Sequence, residues 1–128
     1  MNKEELNTIL EKHKLWVDGK EGGEPADLEG ADLKGADLSA ANLRCVDLTG
    51  ADLRDANIFG ADLSCANLSY ATLVCVDLSY ACLFGANLSD ANLICTNLTG
   101  ADLRGADLRG ANLTAANLDG ARLYNTEF

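Results

Sequence analysis

Four kinds of residue in this chain have the chemistry for a site. Cys45 and Cys65 are twenty residues apart, as are Cys75 and Cys95, with Cys82 between the members of the second pair. Thiols at a fixed interval raise the question of metal binding or redox exchange. Aspartates recur by fives at Asp27, Asp32 and Asp37 and again at Asp47 and Asp52, and paired carboxylates are the material of general acid–base work. Ser39, Ser64, Ser69, Ser79 and Ser89 are candidate nucleophiles, and the one histidine is His13. Such groups act only when they converge in a concavity. A zinc site needs four converging ligands, and two cysteines without a nearby histidine fall short of it. The elements that carry these residues decide the matter.

Their spacing is always a multiple of five, because the chain is built on that period. From Ala26 to Asn125 it divides into twenty pentads without a break, and Thr126–Phe128 begins another. The third position is Leu in every pentad but one, where Ile58 stands. The first is Ala except at Val46, Val76 and Thr96, and the second is Asp or Asn except at Thr72, Cys82 and Arg122. Five residues of helix advance about 500°, so the leucines would spiral around the axis. In a strand an odd period sends successive leucines to opposite faces. The pattern requires a corner in every pentad. First and third residues then point inward, and coils stack at the strand spacing of about 4.8 Å. Gly, Ala, Asp, Asn and Cys at the fifth position suit a corner with unusual backbone angles. Asp or Asn at the second position can hydrogen-bond the nearby backbone.

Pentads such as those of ADLEGADLKGADLSAANL (residues 26–43) make the chain resemble the pentapeptide-repeat family over residues 26–128. The resemblance implies an all-β solenoid: a right-handed quadrilateral parallel β-helix with four pentads per coil. Twenty pentads then give about five coils and a rod of about 24 Å. Residues 1–25 are expected to form a capping helix and link, and residues 26–128 the β-helix. Asn2 followed by Glu5 reads as a capping box. Leu6, Ile9, Leu10, His13 and Val17 lie on one helical face, which predicts a helix from about Lys3 to Lys14. Leu15–Gly19 follows as an extended segment, and GKEGGEP (Gly19–Pro25) as a turn-rich link. His13 and Trp16 are expected to cover the first coil.

Composition narrows the function. The net charge is −10 and the pI about 4.3, which argues against direct binding to nucleic acid or anionic membrane. No apolar run reaches the length of a membrane span. The first residues lack the features of a secretion signal, and five cysteines in no disulfide spacing fit a reducing compartment, so the expected location is cytoplasmic. On a convex rod the serines and stacked carboxylates have no pocket around them. The expectation is a non-catalytic scaffold or protein-interaction module, without cofactor or metal, whose protein partner and cellular role are not legible. The four sequons at Asn67, Asn87, Asn97 and Asn112 are by-products of the repeat.

Sorted by a twenty-residue coil, the surface offers three candidate features. One face carries Asp27, Glu29, Asp47, Asp90, Asp107 and Glu127 against Arg109 alone. Some members of the resembled family mimic B-DNA, bind DNA gyrase and confer quinolone resistance, so the alternative function is a DNA-mimicking regulator of gyrase or another DNA-binding protein. A duplex of equal length would present about 14 phosphates, far more than six carboxylates. The second feature is an apolar patch of Tyr70, Val74, Cys75, Ile94 and Cys95, where aliphatic residues replace the usual polar ones. Phe59, Tyr80 and Phe84 fall on other sides. The third is the C-terminal end, Leu123, Tyr124 and Phe128, where the resemblance implies a homodimer joined end to end.

Overall fold

Residues twenty apart lie side by side along the whole repeat. The computed structural model describes all 128 residues, Met1–Phe128. Seventeen parallel pairings run in unbroken succession from Asp27 with Asp47 to Asp107 with Glu127, so the chain advances one coil in four pentads without a slip. Coil 1 spans residues 26–45, coil 2 46–65, coil 3 66–85, coil 4 86–105 and coil 5 106–125. Along one short side, Leu28 N–H donates to Asp47 C=O at 2.8 Å and Gly30 N–H to Thr49 C=O at 2.8 Å. Asp47 N–H returns a bond to Ala26 C=O at 3.4 Å. Each coil thereby satisfies the backbone of the next.

Corners are four-residue turns closed from the first residue of the next pentad to the preceding leucine, as Ala31 N–H to Leu28 C=O at 3.0 Å. Such a turn needs positive φ at its third residue. All twenty fifth positions have it, and eleven of them are not glycine. They include Tyr70 and Tyr80, at 60° and 57°, residues that the sequence does not mark as corner formers. The inter-coil bonds on both sides of each turn overrule the local preference. Gly100 is constrained in a second way. Its Cβ would stand 2.6 Å from the Tyr80 ring, which leans over it from the preceding coil.

Inside, Leu28 to Leu108 at the third position are at most 2% exposed and form one continuous column system with the first-position alanines. Each buried leucine contributes about 2 kcal/mol through the hydrophobic effect. Thr96, where the pattern asks for alanine, is fully buried and donates its hydroxyl to Leu73 C=O at 2.7 Å. Val46 and Val76 fit the interior without a polar group to satisfy.

The first coil is covered by α1, Lys3–Val17. Asn2 Oδ1 accepts from Glu5 N–H at 2.8 Å, and Leu6 is buried in the core cluster with Ile9 and Leu10 packed against it. α1 runs three residues further than the sequence pattern indicates, so Leu15–Val17 is helical instead of extended. It ends where Gly19 takes φ of 67° and Lys20 N–H reaches Leu15 C=O. The link then folds back so closely that a Cβ on Gly23 would lie 2.3 Å from Trp16 N.

His13 completes the junction. It is fully buried, accepts from Ala26 N–H at Nδ1 (2.8 Å) and has Nε2 2.9 Å from Arg44 C=O. The first bond leaves Nδ1 bare, so Nε2 carries the proton and donates. Elsewhere the carbonyl equivalent to that of Arg44 takes an N–H from a residue nineteen positions earlier, as Thr49 C=O does from Gly30. Here that residue is Pro25, which has no N–H. The imidazole supplies the missing donor and acceptor of an absent coil. Burial depresses its basicity more than the Arg44 carbonyl restores it, so its pKa lies below the usual 6.5.

Candidate interaction surfaces

With the interior given to leucine and alanine, function falls to the second, fourth and fifth positions. Second-position side chains are spent largely on the backbone. Asp27 Oδ1 accepts from Glu29 N–H at 3.1 Å, and the same bond recurs around the rod, as at Asn67 with Ser69 and Asn112 with Thr114. A fourth-position hydroxyl adds a second bond to the same oxygen, as Thr49 to Asp47 at 2.6 Å. These bonds favour the ionised carboxyl, and those of Ser39 and Thr49 hold Asp37 and Asp47 below the usual range. Fourth-position serines therefore serve the turns, and Ser69 and Ser79 are buried there.

Arginine at the fourth position grips the same carboxylate. Arg54 holds Asp52, Arg104 holds Asp102, and Arg109 holds Asp107, with shortest N–O distances of 2.6, 2.6 and 2.7 Å. Hydrogen bonds from the guanidinium, then from its backbone, draw the pKa of Asp52 and Asp107 down to about 2.

The acidic face is thus uneven. At its coil 1–2 end, Asp27, Glu29 and Asp47 each bring a carboxylate oxygen within 4.8 Å of the others, and no basic side chain pairs with them. Such hard oxygen donors suit calcium or magnesium, yet one oxygen each of Asp27 and Asp47 is already committed to a backbone amide. At the coil 5 end Arg109 contacts both Asp107 and Glu127, the latter at 3.2 Å. Asp90 sits at a corner and leans over Gly110 in the next coil.

Val74 and Ile94 occupy corresponding places on coils 3 and 4 and are half-buried, while Cys75 and Cys95 beside them are exposed. Tyr70 adjoins them, 65% exposed. The aromatic residues that the sequence scatters are in part paired. Phe59 and Tyr80 meet edge to face at 5.9 Å between centroids, and Arg104 lies 5.5 Å over the Phe84 ring. Fixed inter-coil register makes these contacts, which the signal of residue type alone does not carry.

The last coil differs from the rest. Leu113 and Leu118 are half-buried, Leu123 is 39% exposed, and Tyr124 and Phe128 are 75% and 63% exposed. The N–H groups of Leu113, Leu118 and Leu123, which in earlier coils pair with the coil ahead, have no backbone partner.

The sequence that builds this coil, one pentad per side with a leucine at each centre, fits the family model for pentapeptide repeats. It matches eight copies over residues 26–58, 51–90 and 91–128, and the chain belongs to that family. Membership implies the right-handed quadrilateral β-helix, and pentapeptide-repeat proteins are generally non-enzymatic structural or interaction proteins. The chain is similar to a pentapeptide-repeat protein from the thylakoid lumen of Arabidopsis thaliana, with 41% identity and a TM-score of 0.72. That alignment covers 73% of this chain and 66% of the plant protein, so the chain spans just under two thirds of that relative. A pentapeptide-repeat protein of the cyanobacterium Cyanothece 51142 is 35% identical over 80% of this chain and 88% of its own, with a TM-score of 0.37. Another, from Nostoc PCC 7120, is 31% identical over 88% and 92%, with a TM-score of 0.47. No curated protein matches the chain in a sequence search.

Proposed function

We propose that the protein is a non-catalytic scaffold whose rod presents surfaces to other proteins, the first of them a second copy at the C-terminal end. The observation that carries this reading is the exposure of Leu123 and Phe128, whose counterparts Leu103 and Leu108 one coil earlier are buried, with Tyr124 exposed beside them. Contiguous exposed apolar surface marks interaction sites, and an open strand edge is a template for pairing. The rung offers unpaired donors at Leu113, Leu118 and Leu123 beside carbonyls at Ala111, Ala116 and Ala121. An identical face turned end over end is complementary to it. Its rim holds both signs of charge, Arg122 with Asp119 and Glu127. Sedimentation equilibrium at tens of micromolar tests this: a dimer is expected, and Phe128→Lys returns a monomer. A wild-type chain that stays monomeric throughout overturns the dimer.

The patch of Tyr70, Val74, Cys75, Ile94 and Cys95 is proposed as the lateral surface for a further protein partner. Val74→Lys with Ile94→Lys leaves the fold intact and abolishes such an interaction. Cytoplasmic location belongs to the same proposal, and recovery of the tagged chain from a lumenal or secreted fraction overturns it.

The second reading, a DNA-mimicking regulator of gyrase, is favoured by the convergence of Asp27, Glu29 and Asp47 without a cation partner. Arg109 weakens it by offsetting one of the two carboxylate charges, Asp107 and Glu127, at the other end of that face. A mimic inhibits gyrase supercoiling in a salt-sensitive way and loses the effect in Asp27→Asn/Asp47→Asn. Inhibition that is absent from the wild type removes this reading.

A further inference from the structure

Four of the five cysteines stand at corners, each with φ of 58°, where a side chain costs conformational energy that glycine does not. They are not scattered among the twenty corners. Cys45 is stacked on Cys65, and Cys75 on Cys95, along two diagonally opposite edges of the rod. The backbone holds the second pair in register, with Cys75 N–H donating to Ile94 C=O at 2.9 Å and Cys95 N–H to Thr114 C=O at 3.0 Å. Corner side chains lean along the axis toward the next coil. Cys65 Sγ lies 3.6 Å from where a Cβ on Gly85 would stand, and the Tyr80 ring covers Gly100 in the same way. On the opposite edge the residue ahead of Cys75 is no glycine but Cys95. The Cys75 thiol is held above its ordinary pKa, first by desolvation against neighbouring atoms and then by Cys95 stacked on it. Both residues are open to solvent.

We propose that Cys75 and Cys95 are a redox-modified pair that closes into a cross-coil disulfide by exchange with a small-molecule disulfide of the glutathione type. The coil repeat of about 4.8 Å lies within the Cα separations that disulfides span, about 4.4–6.8 Å. In the first step one cysteine loses its proton to water, and its thiolate attacks a sulfur of the small disulfide. A mixed disulfide forms and one small thiolate leaves. The second cysteine, deprotonated in turn, attacks the protein sulfur of the mixed disulfide and expels the other small thiolate. Two protein thiols are oxidised and one small disulfide is reduced to two thiols. Because the thiolate is the attacking species, the high Cys75 pKa makes closure faster as pH rises above neutral. The bond closes a loop of twenty residues and fixes coils 3 and 4 together beneath Val74 and Ile94. It does not depend on the partner or dimer proposed above.

The test incubates the reduced full-length chain with glutathione disulfide, quenches with an alkylating agent and maps the peptides by mass spectrometry. The expected product is a monomer lighter by two hydrogens with Cys75 and Cys95 joined. Its thermal midpoint is raised by roughly 5–10 °C and reverts on reduction. Cys75→Ala removes the link and its share of the shift, and alanine is at home at a corner, as Ala40 and Ala115 show with φ of 53° and 58°. Cys45→Ala/Cys65→Ala retains both, which separates the two edges. Full alkylation of Cys75 and Cys95 after incubation overturns the proposal, as does glutathione on each without a link, or a link between chains only.

Discussion

At one end of the rod Leu28, Leu33, Leu38 and Leu43 are at most 2% exposed; at the other, Leu113 and Leu118 are half-buried and Leu123 is 39% exposed. The pentads are alike, so the difference lies in what sits against them. α1 lays Leu6 on the first coil and lends it one donor and one acceptor through His13. A solenoid's interior residue types carry no information about their own burial at the ends; a neighbouring coil or a substitute for one decides it. The contrast separates sites that hold the rod together from sites free to meet another molecule.

Substitutions along the leucine column break the contrast most strongly. Leu68→Ala, in the middle, is expected to lower the unfolding free energy by about 3–4 kcal/mol in urea titrations, through lost burial and a cavity between coils. Leu123→Ala is expected to cost under about 1 kcal/mol, because half the transfer from water never took place. Equal losses at the two sites would mean that coil 5 is covered in solution.

At the capped end, His13→Ala should cost about 2–3 kcal/mol, since Ala26 N–H and Arg44 C=O lose their partner in a buried place. Circular dichroism melts against wild type report it. A gentler perturbation is pH. The pKa of His13 is lower in the folded chain, so the unfolded chain binds its proton first and folding is penalised below pH 6.5. The stabilisation is complete above pH 6.5 and fades as pH falls toward the depressed folded value, by less than about 1.4 kcal/mol per unit. It is the one histidine, so a melting-point decline between pH 7 and 5.5 that vanishes in His13→Gln identifies it. A decline unchanged in that variant assigns the effect elsewhere.

The smallest stability effect is expected at the open end. Phe128→Lys should change the unfolding free energy by less than about 0.5 kcal/mol at a concentration where the chain is monomeric. A larger loss there would show that Phe128 seals coil 5 instead of waiting for a partner.

Much of this was legible in the letters. The five-residue period forces corners, and the residue types say which positions turn inward, so the leucine columns, the alanine rows and the backbone role of Asp and Asn all follow. What stayed hidden depends on neighbours one coil away. Tyr70 and Tyr80 hold positive φ because inter-coil bonds clamp both flanks, against their local preference. Phe59 and Tyr80 are twenty-one residues apart and pair because a corner side chain leans along the axis. Val74 and Ile94 are less exposed than an outward position implies. His13 looked like an apolar-face residue, and its value lies in a missing N–H at Pro25 that acquires meaning only once the nineteen-residue bonding rule is known.

That rule has an evolutionary consequence. α1 touches Ala26 and Arg44, both in coil 1, so the cap is indifferent to how many coils follow. Removing or duplicating a twenty-residue block beyond coil 1 leaves the junction intact and alters length alone, in increments of about 4.8 Å. A change of five residues instead rotates everything downstream by a quarter turn, moving each surface feature to the adjacent side. Whole coils therefore change length without changing facing, whereas single pentads change both.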